Sequence, residues 1–248
     1  MVSTQLKIVV TRPSPFGEAL CSELEPENFF CIHCPLIDFQ PDSSYDKDQR
    51  LILLKQSQTW IFISRQAVNF CFEVFSEAEQ ASLHQLSADK KIIAVGSATA
   101  DALAQLGIEA MVPTTPNSEG IIALLGQHQL ATQATLLIRG NQGRALLQEY
   151  FSEGHLSILP VYQRHTTQHR LQPVDQATAI VVTSGQLMEL VAQQITEQQQ
   201  RRDVTIISGS QRISQIAQQF GFTNCYTAEN ASNTALVKSC ILWRNSVT

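Results

Sequence analysis

Trp60-Ile-Phe-Ile-Ser-Arg-Gln-Ala-Val68 runs four apolar residues into a serine and then into an apolar pair, and Ala179-Ile-Val-Val-Thr-Ser-Gly-Gln-Leu187 does much the same. An unbroken apolar run of this length, rather than an alternating one, predicts a parallel strand covered on both faces. The serine that follows predicts a helix N-cap, since its oxygen can accept one of the free N–H groups of the first turn. Each stretch reads as a strand–turn–helix unit of an α/β fold. Leu6-Lys-Ile-Val-Val10, Lys91-Ile-Ile-Ala-Val95, Leu136-Leu-Ile138 and Val204-Thr-Ile-Ile207 supply further strands of the same kind. The segments between them are amphipathic. Asp101 to Leu106 closes at Gly107, and Ile213, Ile216, Ala217 and Phe220 recur at helical spacing before Gly221. Both glycines fit helix C-caps.

The units repeat in a permuted order. Ile93-Ala-Val-Gly-Ser-Ala-Thr99 resembles Ile206-Ile-Ser-Gly-Ser-Gln-Arg212, and each is followed by a short strand, Ala110-Met-Val112 or Asn224-Cys-Tyr226, and a polar stretch containing Ser118 or Ser232. Leu6 to Arg12 resembles Thr135 to Arg139, so the unit that opens the chain has its copy in the middle. The simplest geometry is two similar parallel-sheet α/β domains. Residues 1–35 with about 166–248 form one discontinuous domain, and 41–159 form the other. Segments 36–40 and 160–165 cross between them as two hinge strands lying side by side. The repeat favours this over one doubly wound sheet.

The chain has 248 residues, 44% of them hydrophobic and 16% charged, enough to bury a core. Seventeen Lys and Arg against 22 Asp and Glu leave a net charge of −5, with a pI near 5.7. That balance argues against general nucleic-acid or anionic-membrane binding, which need a basic face. No apolar run approaches the ~20 residues of a membrane span, and Met1 to Arg12 lacks the basic start and long apolar stretch of a signal peptide. A cytoplasmic protein is expected. Six cysteines are too few for a disulfide scaffold at this length. Cys31-x-x-Cys34 has no second pair to complete a zinc site, so an apolar strand face is expected there and no metal. His165 and His169 lie in polar sequence with no third ligand nearby and read as surface, and Gln198 to Arg202 reads as the solvated end of a helix.

Open parallel sheets bind ligands at the carboxyl ends of their strands, where helix N-termini point. The residues placed there are Arg12, Ser64, Arg65, Ser97, Thr99, Ser118, Arg139, Gly140, Arg144, Ser184 and Ser210. Small and hydroxyl residues let backbone N–H groups approach an anion, and the arginines add charge. Each serine is also an ordinary helix cap. Arg139-Gly-Asn-Gln-Gly-Arg144 is not a dinucleotide fingerprint, and no Walker A lysine, HExxH, nucleophile elbow or EF-hand loop occurs.

Taken together, Thr11-Arg12-Pro13, Phe62-Ile-Ser64 with Ala67-Val68, Ala94-Val-Gly96 with Thr99-Ala100 and Leu106-Gly107, Ser118-Glu-Gly120, Arg139-Gly140 with Gly143-Arg144, Val161-Tyr162 and Thr183-Ser184 resemble the uroporphyrinogen-III synthase family. The resemblance runs from residue 8 to about 232 and rests on the order and spacing of the motifs rather than on any one of them. Arg65-Gln66 depart from it, standing where the family often carries Pro-Arg. The resemblance implies two α/β domains joined by a two-stranded β ladder, with the active-site cleft between them. It implies a cyclising lyase that takes hydroxymethylbilane, a linear tetrapyrrole with eight carboxylates, closes it with inversion of ring D through a spiro intermediate, and releases water. It implies no metal or organic cofactor. Tyr162 matches the family's candidate acid, and the strand-end residues named above become contacts for the substrate. No His/Asp/Ser triad competes for the chemistry. A monomer is expected, with no nucleic-acid or membrane partner. The alternative is a two-lobed binding protein for a small anionic ligand without catalysis, which hinged lobes would also serve. A sugar-phosphate or nucleotide enzyme on the same fold is a further reading, since fold does not fix function.

Overall fold

The computed structural model describes residues 6–143 and 145–247. Its strands are β1 (Lys7–Val10), β2 (Phe30–His33), β3 (Ile37–Pro41), β4 (Thr59–Phe62), β5 (Lys91–Ala94), β6 (Thr135–Gly140), β7 (Leu156–Thr166), β8 (Thr178–Val182), β9 (Thr205–Ser208) and β10 (Asn224–Thr227). Its helices are α1 (Phe16–Leu24), α2 (Lys47–Gln56), α3 (Arg65–Phe72), α4 (Glu77–Ser87), α5 (Ser97–Ala104), α6 (Ser118–Gln127), α7 (Leu146–Tyr150), α8 (Gly185–Gln194), α9 (Gln198–Asp203), α10 (Gln211–Gln219) and α11 (Asn233–Val247), with a 3₁₀ turn at Glu25–Glu27. Two compact units result. One holds Met1–Asp38 with His165–Thr248, the other Phe39–Arg164.

The first unit is built on a sheet ordered β10-β9-β8-β1-β2, parallel throughout. The second is built on β3-β7-β6-β4-β5, parallel from β7 to β5. Alternate residues of the central strands feed opposite layers, which is why the apolar runs are continuous. In β4, Trp60 and Phe62 enter a core with Val68, Cys71 and Leu103, while Ile61 enters another with Ile121, Leu125 and Leu147. In β1, Ile8 and Val10 pack with Leu20, Leu236 and Trp243, and Val9 packs on the other face with Met188 and Val191. Burying each such side chain contributes about 1.5–3 kcal/mol. Helix caps follow the same logic. Ser64 and Ser184 cap α3 and α8, their Oγ atoms accepting from Ala67 N at 3.0 Å and Leu187 N at 3.2 Å. Ser64 and Ser184 hold the same place in their units, as do Ala67 and Leu187, one residue later than the ungapped alignment of 60–68 with 179–187. Gly107 and Gly221 both take positive φ, +76° and +87°, just past α5 and α10, which a side chain would resist.

β3 and β7 are neighbours in the second sheet and also the two places where the chain passes between units. Asp42 N donates to Val161 O and Thr167 N to Leu36 O, so partners rise on one strand as they fall on the other. This pair is antiparallel.

The structure corrects four readings. Ala110–Val112 is not a strand. Met111 makes a single bridge to Ile93, and Pro113, with no N–H, ends the pairing where its counterpart β10 continues. The Gln198–Arg202 end is not simply solvated. Arg201 donates to Ile195 O, Phe220 O and Ala192 O and lies over the Phe222 ring, tying α9 to the ends of α8 and α10. Cys31 does not merely line an apolar strand face but forms a disulfide with Cys21, because α1 packs on β2 with the two Cα atoms 5.6 Å apart. Finally, the segment read as a hinge strand over 160–165 is the second half of a longer one, Leu156–Thr166, which continues through Pro160, whose missing N–H falls where the ladder shifts register.

Candidate active site

In the first unit the carboxyl strand ends carry Arg12, Ser184 and Ser210. Arg12 follows β1 and is nearly buried. Its Nη1 donates to Asn233 Oδ1 at 2.7 Å and its guanidinium lies over Phe16. Asn233, at the start of α11, in turn donates to Glu23. His33, at the end of β2, sets Nε2 2.9 Å from the Arg12 carbonyl oxygen and Nδ1 3.6 Å from Glu18. Ser184 caps α8, its Oγ accepting from Leu187 N. Ser210 holds the cap position of α10 with no side-chain cap bond. Beneath it, Ser208, Ser214 and Thr227 form a hydroxyl chain with both links at 2.7 Å.

In the second unit the corresponding ends carry Ser64, Arg65, Ser97, Thr99, Ser118, Arg139, Gly140 and Tyr162. Ser97 and Ser118 open their helices one residue inside the caps, which are Gly96 and Asn117. Asn117, not Ser118, accepts the first-turn bond, from Gly120 N at 2.8 Å. Thr99 is buried in α5. Arg65 is half-buried. Burial works against its charge, and Asp101 on α5 supports it. Arg139 is only 5% exposed and folds its Nε back onto Gly140 O at 3.1 Å. Burial likewise pushes its pKa down, while the neighbouring Tyr162 favours its charged form. The turn after β6 packs over this guanidinium at Gly143, where a Cβ would strike Nη2. Arg144 lies outside the described residues.

The structure brings four of the sequence-derived positions together around one group. Tyr162 shares a hydrogen bond of 3.2 Å with Ser64 Oγ, its ring lies against Gly140, and Arg139 is its electrostatic neighbour. Beside them a cavity of about 490 Å³ is lined by Asp42, Ser44, Arg139, Gly140 and Asn141, among others. Burial opposes the Asp42 charge, but hydrogen bonds from Ser44 and Gln163 and the nearby Arg50 outweigh it and hold the carboxyl below its ordinary value. Arg50 itself is 2% exposed and donates to Tyr45 O, Phe70 O and Asp42 O. Ser97, Thr99 and Ser118 share the sheet end without a hydrogen bond to Tyr162 among the described residues, and Arg65 lies at the same end beside Asp101.

Sequence reasoning passed over Asn233, His33, Phe39 and Phe70. Asn233 and His33 hold the Arg12 segment, and the two phenylalanines box the Tyr162 ring at 5.4 and 5.7 Å. Only Asn233 had a local signal, an asparagine at a helix start. Among the described residues no cluster of three or more His, Cys, Asp or Glu could hold a metal ion. No helix among them is long and apolar enough to cross a membrane.

Comparison with known proteins gives a consistent result. The family model described as Uroporphyrinogen-III synthase HemD matches residues 18–238. The chain is 28% identical to the uroporphyrinogen-III synthase of Escherichia coli K12, covering 94% of this chain and 99% of that one. Identity to the Salmonella typhimurium LT2 enzyme is also 28%, with the same coverage. Among solved structures, a mutant uroporphyrinogen III synthase from the extremely thermophilic bacterium Thermus thermophilus superposes with a TM-score of 0.65 at 13% identity, over 97% of this chain and 99% of that one. The Helicobacter pylori 26695 synthetase gives 0.62 at 16%, over 96% and 99%. At these identities the structural likeness speaks for the fold.

Proposed function

The chain belongs to the uroporphyrinogen-III synthase family, and we propose that it works on its substrate through the strand-end residues described above. It is a cyclising lyase of haem biosynthesis that converts hydroxymethylbilane to uroporphyrinogen III and water. The observation that carries this function is the family match across residues 18–238.

The chemistry asks more for placement than for strong catalysts. The pyrrole nitrogen lone pair expels the hydroxyl on the terminal methylene, giving an azafulvene and, with one proton, water. The substituted carbon of ring D attacks that methylene to form the spiro intermediate. Fragmentation and re-closure then invert ring D. Unassisted closure gives the type I isomer, so the protein's task is to hold the chain where the spiro route wins. Bound geometry can supply several kcal/mol of that preference.

In this reading Tyr162 meets the departing hydroxyl and supplies its proton. A phenol O–H is a hydrogen-bond donor that can hand its proton to a departing hydroxyl. Support comes from its hydroxyl, which sits at the Ser64 end of β4 with Arg139 as its electrostatic neighbour. Arg12, Arg65, Arg139 and Arg144 attract the substrate carboxylates, as a chain of net charge −5 needs local positive charge to hold an octa-anion. Ser97, Thr99, Ser118, Ser184 and Ser210 add hydroxyl and backbone donors at helix starts. The same reading makes the enzyme a cytoplasmic monomer, to be checked by sedimentation and cell fractionation.

The deciding experiment supplies purified protein with hydroxymethylbilane, oxidises the product and separates the uroporphyrin isomers. Type III product well above the buffer control is expected. Type I alone, at the buffer rate, would overturn the function.

A further inference from the structure

The β6–β7 ladder pairs Ile138 with Leu159 and Arg139 with Pro160, then pairs Gly140 with Tyr162, passing over Val161. The slip falls next to Pro160, which has no N–H to give the ladder. One extra residue on one strand is a bulge, and a bulge re-aims the side chains beyond it. Strict alternation would send Leu159 and Val161 to one face and Tyr162 to the other. Instead Leu159, Val161 and Tyr162 all enter the same core, the one containing Trp60 and Phe62.

The turned ring needs room, and Gly140 provides it. A Cβ on Gly140 would lie 2.7 Å from Tyr162 Cε2, 2.8 Å from Cζ and 3.2 Å from the hydroxyl oxygen. Gly140 is in a strand and is not among the glycines with positive φ, so space rather than backbone conformation calls for glycine. Its surroundings are pinned. Arg139 Nε donates to Gly140 O, Asn141 N donates to Tyr162 O, and Phe39 and Phe70 flank the ring. The hydroxyl then has one partner among the described residues, Ser64 Oγ, which already accepts from Ala67 N. Two hydroxyls carry two protons, and their mutual hydrogen bond uses one. The second remains for an outside acceptor.

We infer that Gly140 is a positioning residue for Tyr162 rather than a substrate contact, its missing Cβ opening the seat that brings the phenol hydroxyl onto Ser64 Oγ. The inference rests on the reading of Tyr162 as the group that meets the departing hydroxyl. A methyl at Gly140 has to move the ring from 2.7 Å to ordinary contact at 3.4 Å or more. Misplacement on the order of 1 Å can cost a reaction ~10²-fold.

The test is a kinetic double-mutant cycle with hydroxymethylbilane on the full chain: wild type, Gly140→Ala, Tyr162→Phe and the pair. Gly140→Ala should lower kcat roughly 10- to 50-fold with KM within about twofold, and should cost less than about twofold more once Tyr162 is Phe. Equal losses in both backgrounds, or a raised KM with kcat kept, overturn the inference. Should Gly140→Ala fail to fold, two further variants decide. Tyr162→Leu must restore folding to it, and Ser64→Ala must lower kcat in the wild-type background but not beside Tyr162→Phe. Failure of either overturns the inference. The wild-type product isomer reports separately on the function. Type III product with a fully active Tyr162→Phe variant removes the role of Tyr162, and the seat with it, while leaving the enzyme's identity intact.

Discussion

Replacing Tyr162 by phenylalanine removes one oxygen and leaves the ring where Phe39, Phe70 and Gly140 hold it. Two magnitudes can be set apart. For stability, the hydroxyl makes one hydrogen bond among the described residues, 3.2 Å long and partly buried. A hydrogen bond contributes about 0.5–1.5 kcal/mol net, and this long one belongs at the low end. At about 2–4 °C per kcal/mol for a chain of this size, the melting temperature should fall by about 1–3 °C. For activity, a general acid typically contributes ~10²–10⁴-fold. Here the pyrrole nitrogen already pushes the hydroxyl out, so turnover should fall roughly 10- to 100-fold, or ~1.4–2.7 kcal/mol in the barrier. The catalytic loss should therefore exceed the stability loss. The assay follows hydroxymethylbilane consumption and separates isomers in the same samples, with the melt run in parallel. Remaining product should stay mostly type III, because the proposed carboxylate contacts are untouched. Full turnover in the variant refutes the proton-donor role. An intact rate with a swing to type I would mean that the hydroxyl orients ring D and donates nothing.

Salt should raise KM for the tetrapyrrole, since the Debye length shrinks from ~10 Å at 0.1 M to ~3 Å at 1 M. Arg65→Gln should raise it about tenfold at low salt and less at high salt, and a flat salt response in the wild type would argue against charge-driven capture. Arg50→Met leaves the buried carbonyl of Asp42 and the partly buried ones of Tyr45 and Phe70 without their donor. At ~1–3 kcal/mol for the first and ~0.5–1 for each of the others, the loss is about 3 kcal/mol, or a melting temperature roughly 10 °C lower. Calorimetry showing a drop under about 3 °C would sink that accounting. A segment of residues 39–164 should fold alone with a cooperative melt, while 1–130 should not; the reverse outcome, read by circular dichroism, would defeat the discontinuous division.

The α/β class was legible because two-sided burial writes itself into the chain as unbroken runs such as Ala179 to Val182. The helix caps at Ser64 and Ser184 were legible because capping is a local bond. What failed did so where the outcome depends on a distant partner. Ala110–Val112 looks like Asn224–Tyr226, yet Pro113 cuts its ladder to one bridge. Arg201 reads as solvated until the ends of α8 and α10 arrive with three carbonyls. Cys21 and Cys31 meet only through the packing of α1 on β2. At the site, the positions of hydroxyls and arginines at strand ends follow from topology. The Tyr162–Ser64 contact does not, because it depends on a one-residue slip beside Pro160 that no spacing rule reveals.

The place of β1 sets a timetable for synthesis. This strand is the fourth of five in its sheet, between β2 and β8, and Thr11 donates its hydroxyl hydrogen to Val181 O across 170 residues. A ribosome adding ~5–20 residues per second takes roughly 10–30 s to close that gap. During that time the whole of 39–164 emerges and has every strand of its own sheet in hand. The leading segment must wait with Ile8, Val9 and Val10 lacking the neighbours that cover them in the finished protein. Nascent chains stalled before residue 178 should therefore carry a protected middle and an open N-terminus, the segment a chaperone would find first.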